Sequence, residues 1–267
     1  HRSTAGATIR DVTVRNNGQA GLRFVTAPAS VSNITATNNA TGIQVDATGS
    51  ISLNGCFLYA NGTYGVRVDF NAASADSTIA GCTIDANGSY GVYHNSSAAK
   101  TLTVTNSIVT NNGYGLYRLS SGTLTATYSD VWNNVSGNLV SAVAGPGYQS
   151  ANPLYVSAAN RRLTSNSPGR FAGAASEDIG YFPYVSDATV GLVGTLWTNT
   201  TLPAGTSTTT GDLTVPAGVT LTIPAGATLA FPPTDLMQSG NDTGRSELRV
   251  FGTLVAVGTA GSPITFT

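Results

Sequence analysis

Charged side chains are scarce in this sequence. Only 9% of its 267 residues are Asp, Glu, Lys or Arg, and 12 basic side chains against 13 acidic ones leave a net charge of −1. A nucleic acid or an anionic membrane surface is bound through clustered positive charge, and this chain has no basic excess. The composition therefore argues against both as partners, and Thr, Ser, Asn, Gly and Ala are expected to fill the surface.

Long apolar runs and helical periodicity are also missing. No apolar segment approaches the ~20 residues of a transmembrane helix, so we expect no membrane insertion. No segment keeps the 3.6-residue apolar spacing of an amphipathic helix, and the abundant Thr, Val, Asn and Gly are poor helix formers. The sequence therefore predicts an all-β protein that is long enough to bury a continuous core.

The first half of the chain contains a repeat instead. Six asparagines, here called the ladder asparagines, recur at intervals of 22, 22, 26, 25 and 22 residues: Asn17, Asn39, Asn61, Asn87, Asn112 and Asn134. A glycine column follows them at Gly21, Gly42, Gly65, Gly91, Gly115 and Gly137. Apolar or small residues stand eight, five and three positions before each asparagine, and polar residues alternate with them. This pattern predicts a parallel β-helix, a solenoid with three short strands in each coil of about 22–26 residues.

Asparagine and glycine have a physical reason to stand at the corners between strands. Both enter the left-handed backbone region at lower cost than most residues, so we expect the two columns to occupy it. Stacked asparagine side chains can also form a hydrogen-bonded ladder. The alternative is six unrelated Asn-Gly turns in an antiparallel sandwich, but such turns would not keep three apolar columns in phase.

The repeat stops near residue 144, and three motifs follow it. They are Asn152-Pro153-Leu154-Tyr155-Val156, Arg162-Leu163-Thr164-Ser165-Asn166-Ser167-Pro168-Gly169 and Asp178-Ile179-Gly180-Tyr181. They resemble the DPLF, L-x-x-x-SP and DIGA elements that close many secreted bacterial right-handed parallel β-helix proteins, with Asn152, Tyr155 and Tyr181 in place of Asp, Phe and Ala. The resemblance implies six right-handed coils over residues 1–144 and a closing segment over 145–186.

A different pattern occupies residues 187–267. Pro-Ala-Gly recurs from Pro203, Pro216 and Pro224, and a Gly-Thr-Leu string leads to a final Pro-Ile-Thr-Phe-Thr. These strings resemble the opening coils of β-helices in the same superfamily, so we expect this segment to begin a following β-helix. The chain starts at His1 without a methionine and stops within an expected strand, so both ends are expected to have been cut from a longer protein.

The resemblance specifies the fold but not the activity, because pectate-lyase-like β-helices include lyases, hydrolases, adhesins and structural fibres. Our leading interpretation is a secreted or cell-surface structural module. It would be one repeat or protomer of an array or fibre, whose coils stack head to tail on copies of itself or on adjacent repeats. On this interpretation the protein is not an enzyme and needs no cofactor or metal.

Two alternatives use the strand that follows the glycine column. Its outward positions hold Arg67, Asp69, Tyr93, Tyr117, Asp46 and Asn95. Flat aromatic rings and hydrogen-bonding groups fit a glycan-binding adhesin that takes polysaccharide. Asp46 and Asp69 beside Arg67 also fit a polysaccharide lyase, although two carboxylates are few for Ca²⁺, which prefers six to eight oxygen ligands. An ordinary solvated sheet face explains the same residues without a ligand.

Four other side chains stand out. His94 and Arg118 occupy inward positions, and we interpret them as marking the end of the strand and not as a buried catalytic pair. Cys56 and Cys82 share one column of adjacent coils, ~4.8 Å apart at Cα. Parallel side chains would hold their Cβ atoms further apart than the usual ~3.8 Å of a disulfide, so two stacked, reduced thiols are favoured over a bridge.

Overall fold

The computed structural model describes residues 7–25, 29–46, 50–70, 75–186 and 191–267. Their regular structure is entirely β, which confirms the all-β prediction, and these residues include no helix that could cross a membrane. The chain divides into two compact units, residues 1–150 with 171–183 and residues 151–170 with 184–267. The boundary predicted at residue 187 lies outside the described residues, and the closing segment and the following β-helix stay predictions.

The described part of the first unit contains β-strands of two to nine residues. They are β1 (Ala7–Arg15), β2 (Ala20–Phe24), β3 (Ala29–Thr37), β4 (Thr41–Val45), β5 (Ile51–Asn54), β6 (Phe57–Tyr59), β7 (Tyr64–Phe70), β8 (Ser77–Ala80), β9 (Thr83–Asp85), β10 (Tyr90–Ser96), β11 (Thr101–Thr105), β12 (Ile108–Thr110), β13 (Tyr114–Arg118), β14 (Thr123–Thr127), β15 (Asp130–Trp132), β16 (Leu139–Val140) and β17 (Val143–Ala144).

Parallel pairing arranges these strands as a solenoid with three faces. The first sheet holds β5, β8, β11, β14 and β17, the second holds β6, β9, β12 and β15, and the third holds β2, β4, β7, β10, β13 and β16. The long strands β1 and β3 run through the corner between the first two sheets and belong to both. The predicted repeat is therefore the structural coil, and the parallel β-helix is confirmed.

Inward side chains of the three sheets fill one core. In the third sheet the register aligns Ile43, Val66, Val92 and Leu116, all fully buried. Leu53, Ile79 and Val104 form the matching column of the first sheet. Because successive side chains of a strand point to opposite faces, this register also aligns the outward residues in columns.

The corners differ from the prediction. The left-handed residues are those just before the ladder asparagines, with φ of 53–59°: Asn16, Asn38, Ala60, Ala86, Asn111 and Asn133. A second left-handed column contains Asp11, Asn33, Gly55, Gly81, Asn106 and Tyr128. The ladder asparagines and the glycine column from Gly21 to Gly115 do not have positive φ. The expectation that these two columns occupy the left-handed region is therefore wrong for these residues, and only Gly137, with φ of 138°, agrees with it in the described columns.

Side-chain hydrogen bonds account for the ladder asparagines. In each coil from Asn17 to Asn112, Nδ2 donates to Oδ1 of the next ladder asparagine at 2.8–3.1 Å. The backbone N–H donates to the same oxygen at 2.9–3.1 Å. The sites from Asn39 to Asn134 are buried. A buried polar side chain needs partners, and asparagine supplies two donors and an acceptor on a short stem.

The glycine column lies where the ladder passes closest to the backbone. A Cβ on Gly65 would lie 2.6 Å from Ile84 Cγ2, 2.7 Å from the Gly91 carbonyl oxygen and 2.9 Å from Asn87 Nδ2. Gly42, Gly91 and Gly115 approach the ladder asparagine of the next coil in the same way, at 2.8–3.0 Å. Glycine is therefore required here for space and not for conformational freedom.

Cys56 and Cys82 are free and buried, as expected for stacked thiols. The Cys56 N–H donates to Cys82 Sγ at 3.3 Å, and the Cys82 N–H donates to Ser107 Oγ at 3.1 Å. The Ser107 N–H continues this column to Ser129 Oγ at 3.0 Å. Burial raises the pKa of the Cys82 thiol well above its ordinary value, so this cysteine serves as a neutral hydrogen-bonding group.

Residues 171–183 pack on the outer side of the second sheet. The Gly180 N–H donates to the Asn106 carbonyl at 2.8 Å, and the Tyr181 N–H donates to Thr83 Oγ1 at 2.9 Å. The Tyr181 and Phe182 rings lie 6.3 and 5.0 Å from the Phe57 ring. Part of the DIGA-like motif thus holds this returning segment against the coils.

The second unit contains an antiparallel hairpin and three parallel coils in its described part. The hairpin is β18 (Tyr155–Ser157) and β19 (Asn160–Leu163). The coils are β20 (Gly194–Thr195), β21 (Thr200–Thr201), β22 (Thr206–Thr208), β23 (Leu213–Val215), β24 (Thr220–Ile223), β25 (Thr228–Ala230), β26 (Leu248–Val250), β27 (Thr253–Ala256) and β28 (Thr265–Phe266). Leu213, Leu221 and Leu229 are fully buried in its core.

Candidate functional site

The outer face of the third sheet brings together the side chains that the sequence predicted as a site. The register aligns Gln44, Arg67, Tyr93 and Tyr117 in one column of adjacent coils. Asp69 and Asn95 are aligned two residues further along the strands. Asp46 follows β4, with its N–H bonded to the Phe24 carbonyl at 2.7 Å. All six predicted residues therefore share this face.

Two ion pairs lie at one end of the face, and we call Arg23, Asp46, Arg67 and Asp69 the charged row. Arg23 Nε donates to Asp46 Oδ2, and Arg67 Nε donates to Asp69 Oδ2, both at 2.6 Å. Gln44 Nε2 donates to both Asp46 oxygens at 2.9 and 3.1 Å. Asn95 Nδ2 donates to Asp69 Oδ1 at 3.1 Å. The two carboxylates are thus bound to separate arginines and are not assembled around one site.

Five half-buried tyrosines, which we call the tyrosine cluster, continue the face over three coils: Tyr64, Tyr90, Tyr93, Tyr114 and Tyr117. The sequence reasoning identified Tyr93 and Tyr117 but missed the other three. The sequence did contain a signal for these three, because Tyr64, Tyr90 and Tyr114 each stand directly before a residue of the glycine column. They lie at the corner where the third sheet begins.

The rings of the tyrosine cluster stack on one another along the coils. The Tyr64, Tyr90 and Tyr114 centroids are 5.2 and 5.3 Å apart with interplanar angles of 12° and 17°. Tyr93 and Tyr117 stack at 5.8 Å and 4°. Edge-to-face contacts of 5.1–5.2 Å join the two stacks. Neighbouring rings therefore cover each other's faces, and ring edges and hydroxyls form the surface.

The hydroxyls of the tyrosine cluster are free for a ligand. Burial raises the pKa of Tyr90 and of Tyr93, and nearby tyrosines raise both further. None of the five hydroxyls has a hydrogen-bond partner among the residues that the structure describes. Arg67 lies 5.5 Å from the Tyr64 ring centroid and 6.0 Å from that of Tyr93, which joins the cluster to the charged row.

The parallel coils and a sequence comparison lead to one assignment. A family model described as a right handed beta helix region matches residues 2–140, more than half of the chain. The chain belongs to this right-handed β-helix family. Comparison with curated proteins gave no match, and comparison with solved structures gave none. The family establishes the fold of the β-helix and leaves its activity to be argued from the site.

The sequence analysis interpreted His94 as marking the end of its strand, and this interpretation is wrong. His94 lies inside β10, which continues to Ser96, and it is fully buried. Neither ring nitrogen has a hydrogen-bond partner in the described residues. Burial, and to a lesser extent the charge of Arg118, lower the pKa of His94 to about 4, while the charge of Asp69 opposes this shift. The imidazole is therefore a neutral core side chain at neutral pH.

Arg118 does end its strand, as interpreted from the sequence. Its Nε donates to the Ser141 carbonyl and its Nη1 donates to the Ser120 carbonyl, both at 2.6 Å. These bonds tie the end of β13 to the loops beside it. Within the described ranges no group of three or more His, Cys, Asp or Glu side chains is placed to hold a metal ion.

Proposed function

We propose that this β-helix is an extracellular module that binds glycans through the tyrosine cluster and the charged row. The observation that carries the proposal is the set of five tyrosine hydroxyls, which lack partners among the described residues and lie side by side across three coils. A polysaccharide is rich in hydroxyl groups that need such donors and acceptors. Gln44 and Asn95 add amide groups beside them.

The manner of contact differs from the one expected from the sequence. Flat ring faces were expected to receive sugar rings, but the stacking of the cluster covers those faces. A glycan would instead meet hydroxyls and ring edges. Tyrosine suits this role because its ring is rigid, has few rotatable bonds and carries a polar group at its tip.

The surrounding coils support the proposal by holding the face in place. The asparagine ladder runs from coil to coil at the corner that precedes the third sheet, with bonds of 2.9 Å from Asn61 to Asn87 and from Asn87 to Asn112. A ligand therefore meets side chains whose positions are set before binding. Preorganisation of this kind lowers the entropic cost of association.

Titration calorimetry with a panel of neutral and acidic oligosaccharides tests the proposal. Changing both Tyr93 and Tyr117 to Ala should weaken binding about tenfold or more, and changing both to Phe should weaken it several-fold because only the hydroxyls are lost. Thr103→Ala, on the outer face of the first sheet, is the control and should bind normally. Absence of binding to the whole panel, or unchanged affinity in both tyrosine variants, would contradict the proposal.

A second candidate function is structural assembly into an array or fibre, with copies of the chain or adjacent repeats as partners. It is favoured by Leu254 and Phe266, which are 36% and 48% exposed. They pair in register with Leu221 and Leu229, which are fully buried. A further coil stacked in the same register would cover both side chains and pair the strand edges beneath them.

Negative-stain electron microscopy with analytical ultracentrifugation tests this second candidate. The Leu254→Lys variant should assemble less than the wild-type chain, because a charge at a stacked core position is costly to bury. Val135→Lys places the same charge at a position that is already 89% exposed and should leave assembly unchanged. A wild-type chain that remains monomeric at high concentration would rule this function out.

No specific observation favours the polysaccharide lyase alternative. Asp46 and Asp69 each accept an arginine Nε at 2.6 Å, so neither carboxylate is held ready to bind a cation or to accept a substrate proton. We therefore propose no reaction for this face.

A further inference from the structure

The charged row contains equal numbers of positive and negative groups in direct contact. Asp46 lies beside Arg23, and Asp69 lies beside Arg67, with the same 2.6 Å separation in both pairs. The four side chains are 57%, 21%, 36% and 22% exposed in the order Arg23, Asp46, Arg67 and Asp69. The pairs are thus accessible at the surface, and the face carries no net charge there.

We infer that Asp46 and Asp69 determine the specificity of this face, so that it takes neutral, hydroxyl-rich polysaccharides and rejects chains of uronic acids. The inference rests on the glycan-binding function proposed above. It names the ligand class of that same site.

The reason is a competition for the two arginines. A uronate carboxylate could bind Arg67 in two ways. It could displace Asp69, which exchanges one ion pair for another, or it could bind the Nη groups next to Asp69, which places two like charges close together. A neutral sugar breaks no ion pair. Arg23 and Arg67 each contact their aspartate through Nε, and their Nη groups have no hydrogen-bond partner among the described residues. Sugar hydroxyls can accept from these Nη groups.

The register also indicates how the ligand lies. One outward column runs across five successive strands and contains, in order, Arg23, Gln44, Arg67, Tyr93 and Tyr117. A linear chain that contacts both the arginines and the tyrosines must cross the strands at ~4.8 Å per coil, which gives a span of roughly 20 Å. The neutral polymer therefore has to be an oligosaccharide of several units and not a single sugar.

The experiment compares two hexasaccharides of the same linkage, one neutral and one made of uronic acids, by calorimetry at low and high salt. The wild-type chain should bind the neutral hexasaccharide with little salt dependence and bind the acidic one at least about tenfold more weakly. Changing Asp46 and Asp69 together to Asn frees both arginines at nearly constant side-chain size. This variant should gain about tenfold or more in affinity for the acidic hexasaccharide, and high salt should abolish the gain.

Asp11→Asn is the control for the type of change, because it turns one exposed carboxylate away from the face into an amide. It should produce no gain. A wild-type chain that binds the acidic hexasaccharide as tightly as the neutral one, or an Asn variant without the gain, would overturn the inference while the proposed glycan binding stands. A wild-type chain that binds neither hexasaccharide would overturn both.

Discussion

The side chain of Asn61 illustrates how one residue type connects the coils. Its Nδ2 donates to Asn87 Oδ1 at 2.9 Å and to the Ala36 carbonyl at 3.0 Å. Its Oδ1 accepts from the N–H and the Nδ2 of Asn39 at 3.0 and 3.1 Å. Asn61 is fully buried. Removing its side chain would take a hydrogen bond from the Ala36 carbonyl and from the Asn39 N–H without giving water access, although Asn87 Oδ1 would keep the Asn61 N–H at 3.0 Å.

We therefore expect Asn61→Ala to lower the free energy of unfolding by about 3 kcal/mol, since a buried group left unpaired costs roughly 1–3 kcal/mol. Asn17→Ala, at the exposed first rung of the ladder, should cost about 1 kcal/mol or less because water replaces the lost bonds. Urea unfolding of both variants measures the difference. Equal losses would show that the ladder bonds are not what makes the buried position sensitive.

His94 should make stability depend on acid pH. Its folded pKa of about 4 lies below the ordinary histidine pKa of 6.5. The unfolded chain therefore takes up the proton first, and stability is full above pH 6.5 and is lost as the pH falls towards 4. The loss should approach about 3 kcal/mol.

His94→Leu provides the comparison, because leucine is uncharged and similar in size. The charged groups that act on His94 are Arg118, which lowers its pKa, and Asp69, which raises it, and both remain in this variant. Urea unfolding between pH 7 and 4 should show a steeper loss for the wild-type chain than for the variant. Parallel pH profiles would contradict the assignment of the effect to His94.

At the scale of the coil, the glycine column and the asparagine ladder require each other. The ladder side chain of one coil lies 2.8–3.0 Å from where a Cβ of the preceding glycine would be. Glycine is therefore required in this column because of the distance between coils and not because of the conformation of the turn.

Gly65→Ala should destabilise the protein by about 3 kcal/mol, in the range of an overpacked core site. Its new methyl would lie 2.6 Å from Ile84 Cγ2 and 2.7 Å from a backbone oxygen. Gly62→Ala in the same coil is the control, because its nearest atom is 3.7 Å away, and it should be nearly neutral. Thermal unfolding of the pair measures the contrast, and a larger loss in Gly62→Ala would refute this account of the column.

At the scale of the whole molecule, each unit has its own buried core, and few charges cover the surface. Only 9% of residues are charged, and the net charge is −1 with an isoelectric point near 6.1. Repulsion between molecules is therefore weak at neutral pH.

Solubility should accordingly be lowest near pH 6 and should rise several-fold by pH 8.5, as net negative charge accumulates. Precipitation by polyethylene glycol across this range measures it. A charge-reversed chain such as Asp178→Lys with Asp242→Lys should move the minimum to higher pH, since both positions are acidic in the wild type. A minimum that stays at the same pH in this variant would mean that net charge is not what limits solubility.

The parallel β-helix and its coil length were determined by the sequence alone, because the spacing of Asn, Gly and apolar residues directly reports one turn of the solenoid. The outward position of Arg67, Asp69, Tyr93 and Tyr117 followed from the alternation of side chains along a strand. The physical reason for each repeated column of the sequence did not follow. The glycine column was assigned to left-handed corners, whereas its positions are set by contacts with the next coil.

The pairing of charges and rings was decided only by the tertiary structure. Arg23 meets Asp46 across 23 residues of sequence, and Tyr64 joins Tyr93 at a corner where alternation along one strand no longer predicts direction. His94 is buried in β10 for the same reason, since the extent of that strand depends on its neighbours β7 and β13. A sequence repeat defines which residues lie in one column, but contacts between columns depend on the distance and angle at which successive coils pack.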